Sequence, residues 1–201
     1  MNHAARRTLS LHAALFAIAL CAAGAARAQN WGPAPESNHQ GLYFAGGIGG
    51  GLQLVDGGSD GALGGQIDLR IGYSFARRFQ IYLEGDLSGG SHSSLQALNA
   101  DGSTSTAMIY ASDVMVGLRY FLFANRNLGV YARAGLGLGI VGDNSYGDTT
   151  QYGVAETYAL GMEFRLGGPW SLTPELYYRR TNETQDSRVD SLGLGILINF
   201  N

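Results

Sequence analysis

Ser191 to Asn201 reads S-L-G-L-G-I-L-I-N-F-N, with Leu192, Leu194, Ile196, Ile198 and Phe200 at every second position. A strict period of two marks a β-strand with two unlike faces. The opposite face carries Gly193, Gly195, Leu197 and Asn199. Whether the apolar face meets a core, water or lipid depends on the rest of the chain.

Working back from this stretch, the same period recurs in seven further segments of about ten residues, the length of a tilted membrane strand. The clearest runs near Gln66 to Phe75 and sets Ile67, Leu69, Ile71, Tyr73 and Phe75 against Gln66, Asp68, Arg70, Gly72 and Ser74. Others lie near Gly41 to Leu52, near Phe79 to Ser88, before Tyr120, around Val130 to Ile140, around Tyr158 to Leu166 and around Leu172 to Arg179. Short connections at Ala76 to Arg78, Ala124 to Asn127 and Gly167 to Pro169 alternate with longer Gly/Ser/Asp/Asn-rich ones near Gln53 to Gly65, Gly89 to Thr104, Gly142 to Gln151 and Thr181 to Arg188. Short turns at one end and long loops at the other, with an even strand count, are the plan of an outer-membrane barrel whose termini are both periplasmic.

Composition agrees. Residues 1–28 read as a secretory signal peptide, with Arg6 and Arg7 before an apolar stretch and Ala26-Arg27-Ala28 as a small-x-small cleavage site. Cys21, the single cysteine, lies inside that segment, and Leu20 before it argues against lipidation. The mature chain then has no cysteine, which excludes disulfides, thiolate catalysis and cysteine-ligated metals. All 13 basic residues are arginine, and removing Arg6, Arg7 and Arg27 leaves 10 against 16 acids, a net charge of −6. A nucleic-acid partner needs the opposite balance. The 31 glycines, spread through apolar stretches, oppose helices. Residues 29–40 read as a short periplasmic segment and 41–201 as the barrel, an all-β, eight-stranded antiparallel up-and-down transmembrane architecture.

Charge placement separates this reading from a soluble lipocalin-type barrel. One face collects Asp68, Arg70, Glu84, Asp86, Asp113, Arg119, Arg133, Glu163, Arg165, Glu175 and Arg179 among many glycines. Six acids and five arginines with room made by glycine suit a narrow interior, where each ion needs a partner to offset desolvation. The other face is Leu, Ile, Val and aromatics. Phe75, Phe79, Tyr120, Phe121, Phe123, Trp170 and Phe200 cluster beside the short turns as one interfacial girdle, and Tyr110, Tyr158 and Tyr178 supply the other. The apolar residues of the last strand therefore face lipid, and that strand closes the sheet against the first.

On these features, on G-L-Y-F-A-G-G-I-G at Gly41 to Gly49 and on a last strand ending near an aromatic, the chain resembles the eight-stranded OmpA/OmpX-like outer-membrane barrels, which include opacity-type surface antigens. It departs from them in placing the terminal aromatic one residue early, with Asn201 after Phe200. No peptidoglycan-binding domain is expected after the barrel, so that activity is not implied. The resemblance implies a monomer in the outer membrane of a Gram-negative bacterium, in contact with its lipid and lipopolysaccharide, assembled by the barrel-assembly machinery. It implies a surface or host ligand reached through the long loops, and no cofactor.

Three motifs suggest chemistry and read otherwise in context. Gly137-Leu138-Gly139-Ile140-Val141-Gly142 fits a dinucleotide fingerprint but runs from a strand into a loop, with no helix to receive a pyrophosphate. His92-Ser93-Ser94 has the His-x-Ser spacing of a lipid A deacylase family that also uses an eight-stranded barrel, yet it is read as loop, off the lipid-facing strand where such a site would sit. Glu84 with Asp86, or Glu163 near Glu175, could serve as acid and base, but neighbouring inward arginines make structural ion pairs the better reading. His39 and His92 stand alone, so no metal cluster is expected. The loops and their flanks carry Asp56, Asp60, Asp101, Asp143, Asp148, Glu156, Glu183 and Asp186 against Arg180 and Arg188, an acidic tip. The expected function is a non-enzymatic anchor for surface loops, with a narrow gated channel and a lipid A-modifying enzyme as alternatives.

Overall fold

The computed structural model describes residues 41–55, 61–76, 78–98, 104–124, 127–143, 149–183 and 188–201. The signal peptide and periplasmic segment expected over residues 1–40 lie outside them. Eight antiparallel strands follow in chain order: β1 (Gly41–Val55), β2 (Gly61–Ala76), β3 (Phe79–Leu98), β4 (Thr104–Ala124), β5 (Leu128–Asp143), β6 (Thr149–Gly167), β7 (Trp170–Glu183) and β8 (Arg188–Phe200). Each pairs with its sequence neighbour, and β8 pairs back onto β1 to close the barrel. The closing register runs from Phe44↔Phe200 through Ile48↔Ile196 to Val55↔Val189, so the apolar residues of the last strand meet those of the first.

The faces are inverted relative to a water-soluble protein. Leu192, Leu194, Ile196, Ile198 and Phe200 are all exposed, as are Leu42, Ile48, Ile67, Leu69, Leu136 and Leu138. Asp68, Arg70, Glu84, Arg133 and Glu175 are buried. A continuous apolar exterior around a polar interior is stable only where the surroundings are hydrocarbon, and closure satisfies every strand edge there. Among the described residues no helix is long and apolar enough to cross a membrane, which is consistent with crossing by strands.

The structure differs from the sequence reading in three places. Strands are longer than ten residues, up to 20 in β3 and 21 in β4. Their pairing continues past the apolar band, from His92↔Ala107 to Leu98↔Thr104 across an irregularity between His92 and Gln96. His92 therefore belongs to a strand and not to a loop. Polar, glycine-rich composition marks water exposure, and a hairpin standing in water has the same composition as a loop. Glu156, Arg180 and Arg188 likewise lie within β6, β7 and β8. Lastly, Phe121 points into the barrel, 1% exposed, with its ring edge-on to Tyr131 at 5.5 Å. Alternation from Arg119 points Phe121 inward, and the register shift between Phe121 and Phe123 is what turns Phe123 outward.

Of the remaining girdle residues near the short turns, Phe75, Phe123, Trp170 and Phe200 are exposed, Phe79 is partly exposed and Tyr120 is buried. Phe75 stacks on Phe79, Phe79 lies tilted by 42° against Tyr120 at 4.8 Å, and Trp170 meets Phe200 edge-on at 5.0 Å. Gly168 turns β6 into β7 with φ +61°, a conformation that side chains resist. Pro174 sits within β7, where the β6 ladder passes from Gly161↔Glu175 to Phe164↔Leu172. Proline has no N–H to donate, so this seam is the sparser one.

Candidate functional site

The centre of the lumen is built from β2, β3, β5 and β7, whose inward positions carry Asp68 and Arg70, Glu84 and Asp86, Arg133, and Glu175 and Arg179 respectively. Alternation places these side chains inside, and the small diameter of an eight-stranded barrel makes them meet. Glu175 is gripped from two strands. Arg70 Nη1 and Nη2 donate to its Oε1 and Oε2 at 2.7 and 2.8 Å, while Arg133 Nη2 lies 3.0 Å from Oε2 and the Tyr131 hydroxyl donates to Oε1. Glu84 is held the same way. Arg133 Nη1 approaches its Oε2 at 2.6 Å, Arg179 Nη2 its Oε1 at 2.8 Å, and Arg70 Nε stands 3.4 Å away. Forked donors on carboxylates are the strong form of ion pair.

Above this layer Asp68, Asp86 and Asp113 stand side by side in register, Asp68↔Asp86 on β2 and β3 and Asp86↔Asp113 on β3 and β4. Adjacent like charges repel. Arg179 reaches across from β7 to touch Asp86 and to lie 3.6 Å from Asp113, while Asp68 takes Arg70 Nη2 at 2.5 Å. Five carboxylates thus share Arg70, Arg133 and Arg179. Room comes from glycine: a Cβ at Gly117 would fall 2.2 Å from the Tyr82 ring, and one at Gly161 2.4 Å from that of Tyr131. Gly137 and Gly139 are interior positions of β5 backed by Met115 and Asp113, and the whole dinucleotide spacing from Gly137 to Gly142 lies within that strand.

Arg119 departs from the expectation that each inward arginine meets a carboxylate. It is fully buried between the faces of Tyr131 at 4.4 Å and Tyr43 at 5.2 Å, with Nη1 donating to Gln80 Oε1 at 3.1 Å. Aromatic faces attract a desolvated guanidinium, so two tyrosines do here what an acid does elsewhere. Parity placed Arg119 inside; nothing in the spacing marked Tyr43 and Tyr131 as its neighbours. Arg165 is partly exposed at the short-turn end, 3.6 Å from Glu163. Nearby, Asn199 bridges Ser171 and Thr173 of β7, tying the end of β8 from within.

A second polar group lies on the outside. Arg180, Asp190 and Tyr178 form a closed set, with Arg180 Nε 2.9 Å from Asp190 Oδ1 and the Tyr178 hydroxyl donating to the same oxygen at 2.7 Å. Arg188 Nη2 takes Asp190 Oδ2 at 2.6 Å. The sequence reading counted these arginines as loop charges and missed their association, although Arg180 shares the parity of Tyr178.

An all-antiparallel closed barrel with an apolar exterior and an ion-paired interior defines a transmembrane β-barrel. Over residues 13–200 the chain matches the outer membrane protein beta-barrel domain, and it belongs to that family. Among curated proteins none matches it by sequence. Solved structures share the fold: Neisserial surface protein A aligns with a TM-score of 0.57 at 14% identity, over 79% of this chain and 97% of that one. Ail, the attachment invasion locus protein of Yersinia pestis, in complex with the heparin analogue sucrose octasulfate, aligns at 0.51 and 16% identity, over 80% and 99%. The outer membrane enzyme PagL aligns at 0.50 and 10% identity, over 75% and 97%. At these identities the likeness is one of fold.

Proposed function

We propose that the protein is a non-enzymatic outer-membrane anchor, closed along its axis, that holds acidic loops outside the cell for surface interaction. The observation that carries this reading is the crossing of the lumen by Arg133, which ties Glu84 of β3 and Glu175 of β7. Side chains bridged in this way leave the loop tips as the accessible part of the molecule. The turn-end girdle and the even strand count support periplasmic termini and outward-facing long loops. Excess acid in and beside the loops favours a basic partner, or one bridged by divalent cations, over a polysulfated one.

Two other readings compete. A narrow gated pore draws on the sharing of five carboxylates among three arginines, which permits partner exchange. A lipid A-modifying enzyme draws on His92 and Ser94 in β3. The test of the anchor is binding of whole cells to surfaces or host cells after deletion of residues 56–60, 99–103, 144–148 or 184–187 in turn. Loss of binding on removing one or more loops, with the barrel still assembled, is expected. Binding undiminished by all four deletions would contradict the proposal.

A further inference from the structure

The outer wall is notched on one side. Across β1, β2 and β3 the register sets Gly46 beside Leu69 and Leu69 beside Gly85, so a projecting leucine stands between two outward glycines. Leu69 is 63% exposed, and a Cβ at Gly85 would meet nothing within 4 Å. Phe44, Ile71 and Leu83 form the next row toward the turn end, and Ile48, Ile67 and Leu87 the next toward the loops. A groove of about 600 Å³ follows the notched row and its turn-side neighbours to Trp170 and Phe200.

We infer that this groove is the contact face of a reversible dimer, in which a second copy of the chain presents the same face and each Leu69 enters a notch of the other. Knob and hole lie on one surface, as a two-fold interface requires. Neighbouring strands are about 4.8 Å apart, so the notch at Gly85 leaves about 9.5 Å between β2 and β4, room for one leucine side chain. In hydrocarbon the gain comes from packing and not from burial, because acyl chains are as apolar as leucine. A fixed knob fills a fixed hole without the ordering that a mobile acyl chain would undergo there. Charge agrees: among the described outward side chains of β1, β2 and β3 none is charged, whereas β6, β7 and β8 carry Glu156, Arg180 and Asp190 outside. Area agrees as well. The seven large side chains of the three rows are 42–71% exposed, and at about 100 Å² each, half of what a large side chain can bury, they offer about 700 Å² per copy. A stable interface needs about 800 Å² from each partner. The dimer departs from the monomer that the resemblance implies, and dilution in lipid returns the single barrel.

The test is energy transfer between donor- and acceptor-labelled copies in phosphatidylethanolamine–phosphatidylglycerol vesicles, over a range of protein-to-lipid ratios. Residues 29–201 contain no cysteine, so Asp101→Cys takes one dye per copy. The wild type should show transfer that saturates with protein density and exceeds random encounter. Gly46→Leu with Gly85→Leu, which fills the holes, and Leu69→Ala, which removes the knob, should each weaken association at least about tenfold. Leu136→Ala, on the outer face of β5, should not. Circular dichroism of each variant checks that the barrel is intact. Wild-type transfer at the random level, the outcome if acyl chains alone occupy the groove, would overturn the dimer, as would association that survives both the filled holes and the lost knob. Binding at the groove seen only when other outer-membrane proteins are added would give it to a different partner and overturn the second copy.

Discussion

Arg133 Nη1 lies 2.6 Å from Glu84 Oε2, although their strands β5 and β3 are separated by β4. The contact is made through the lumen and not along the sheet. The same guanidinium takes Glu175 of β7, so one side chain links three non-adjacent strands of a closed barrel. Removing it leaves two buried carboxylates with one fewer cation between them. Arg133→Ala should destabilise by about 3–5 kcal/mol, the cost of breaking a buried pair from one side. Urea unfolding in lipid vesicles measures this. The double variant Arg133→Met with Glu84→Gln should cost less than the sum of its singles, because the stranded charge is removed with its partner.

Arg119 provides the contrast. Its neighbours are Tyr43, Tyr131 and Gln80, so its loss strands no carboxylate. Arg119→Met, which keeps the apolar stem between the rings, should cost about 1–2 kcal/mol, the scale of a desolvated cation–π contact. The same unfolding assay decides it, and a loss as large as that of Arg133→Ala would contradict the assignment.

The two faces of the wall predict opposite sensitivities. Ile196→Arg, on the lipid side of β8, should cost about 2–4 kcal/mol near the bilayer midplane. Gly161→Ala, on the inside of β6, should act through crowding of the Tyr131 ring and perturb the near-ultraviolet tyrosine signal. A fractionation experiment that recovered the chain from the soluble periplasm would overturn the whole assignment of faces.

Much of this was legible before any coordinates. The period of two in Ser191 to Asn201 sets the closing strand, and parity alone puts all eleven inward charges on one face, because an eight-stranded wall leaves each strand residue only two directions. Which arginine meets which carboxylate was not legible. Arg133 reaches past its register partners Arg119 and Ala159 to strands whose distance across the lumen depends on closure. Phe121 shares the inward parity of Arg119 and joins the girdle in the sequence reading only through its place in an aromatic run; the bulge that turns Phe123 outward leaves no mark in composition. The end of β3 beyond Gly89 and the start of β2 before Gly65 read as loop because a polar hairpin in water and a loop use the same residues.

His92 and Ser94 test the enzyme reading directly. His92→Ala and Ser94→Ala should each leave the acylation of lipid A unchanged, as read by mass spectrometry of extracted lipid. A missing acyl chain that reappears on losing either side chain would establish catalysis instead.

The central claim is that the lumen is closed by its own ion pairs. Planar-bilayer recording of the purified monomer tests it most directly, with wild type and Arg133→Ala compared at two salt concentrations. Eight strands leave an interior that side chains fill, so both proteins should be silent. Steady, salt-dependent conductance in the wild type, altered by Arg133→Ala, would contradict the closed anchor and identify a channel.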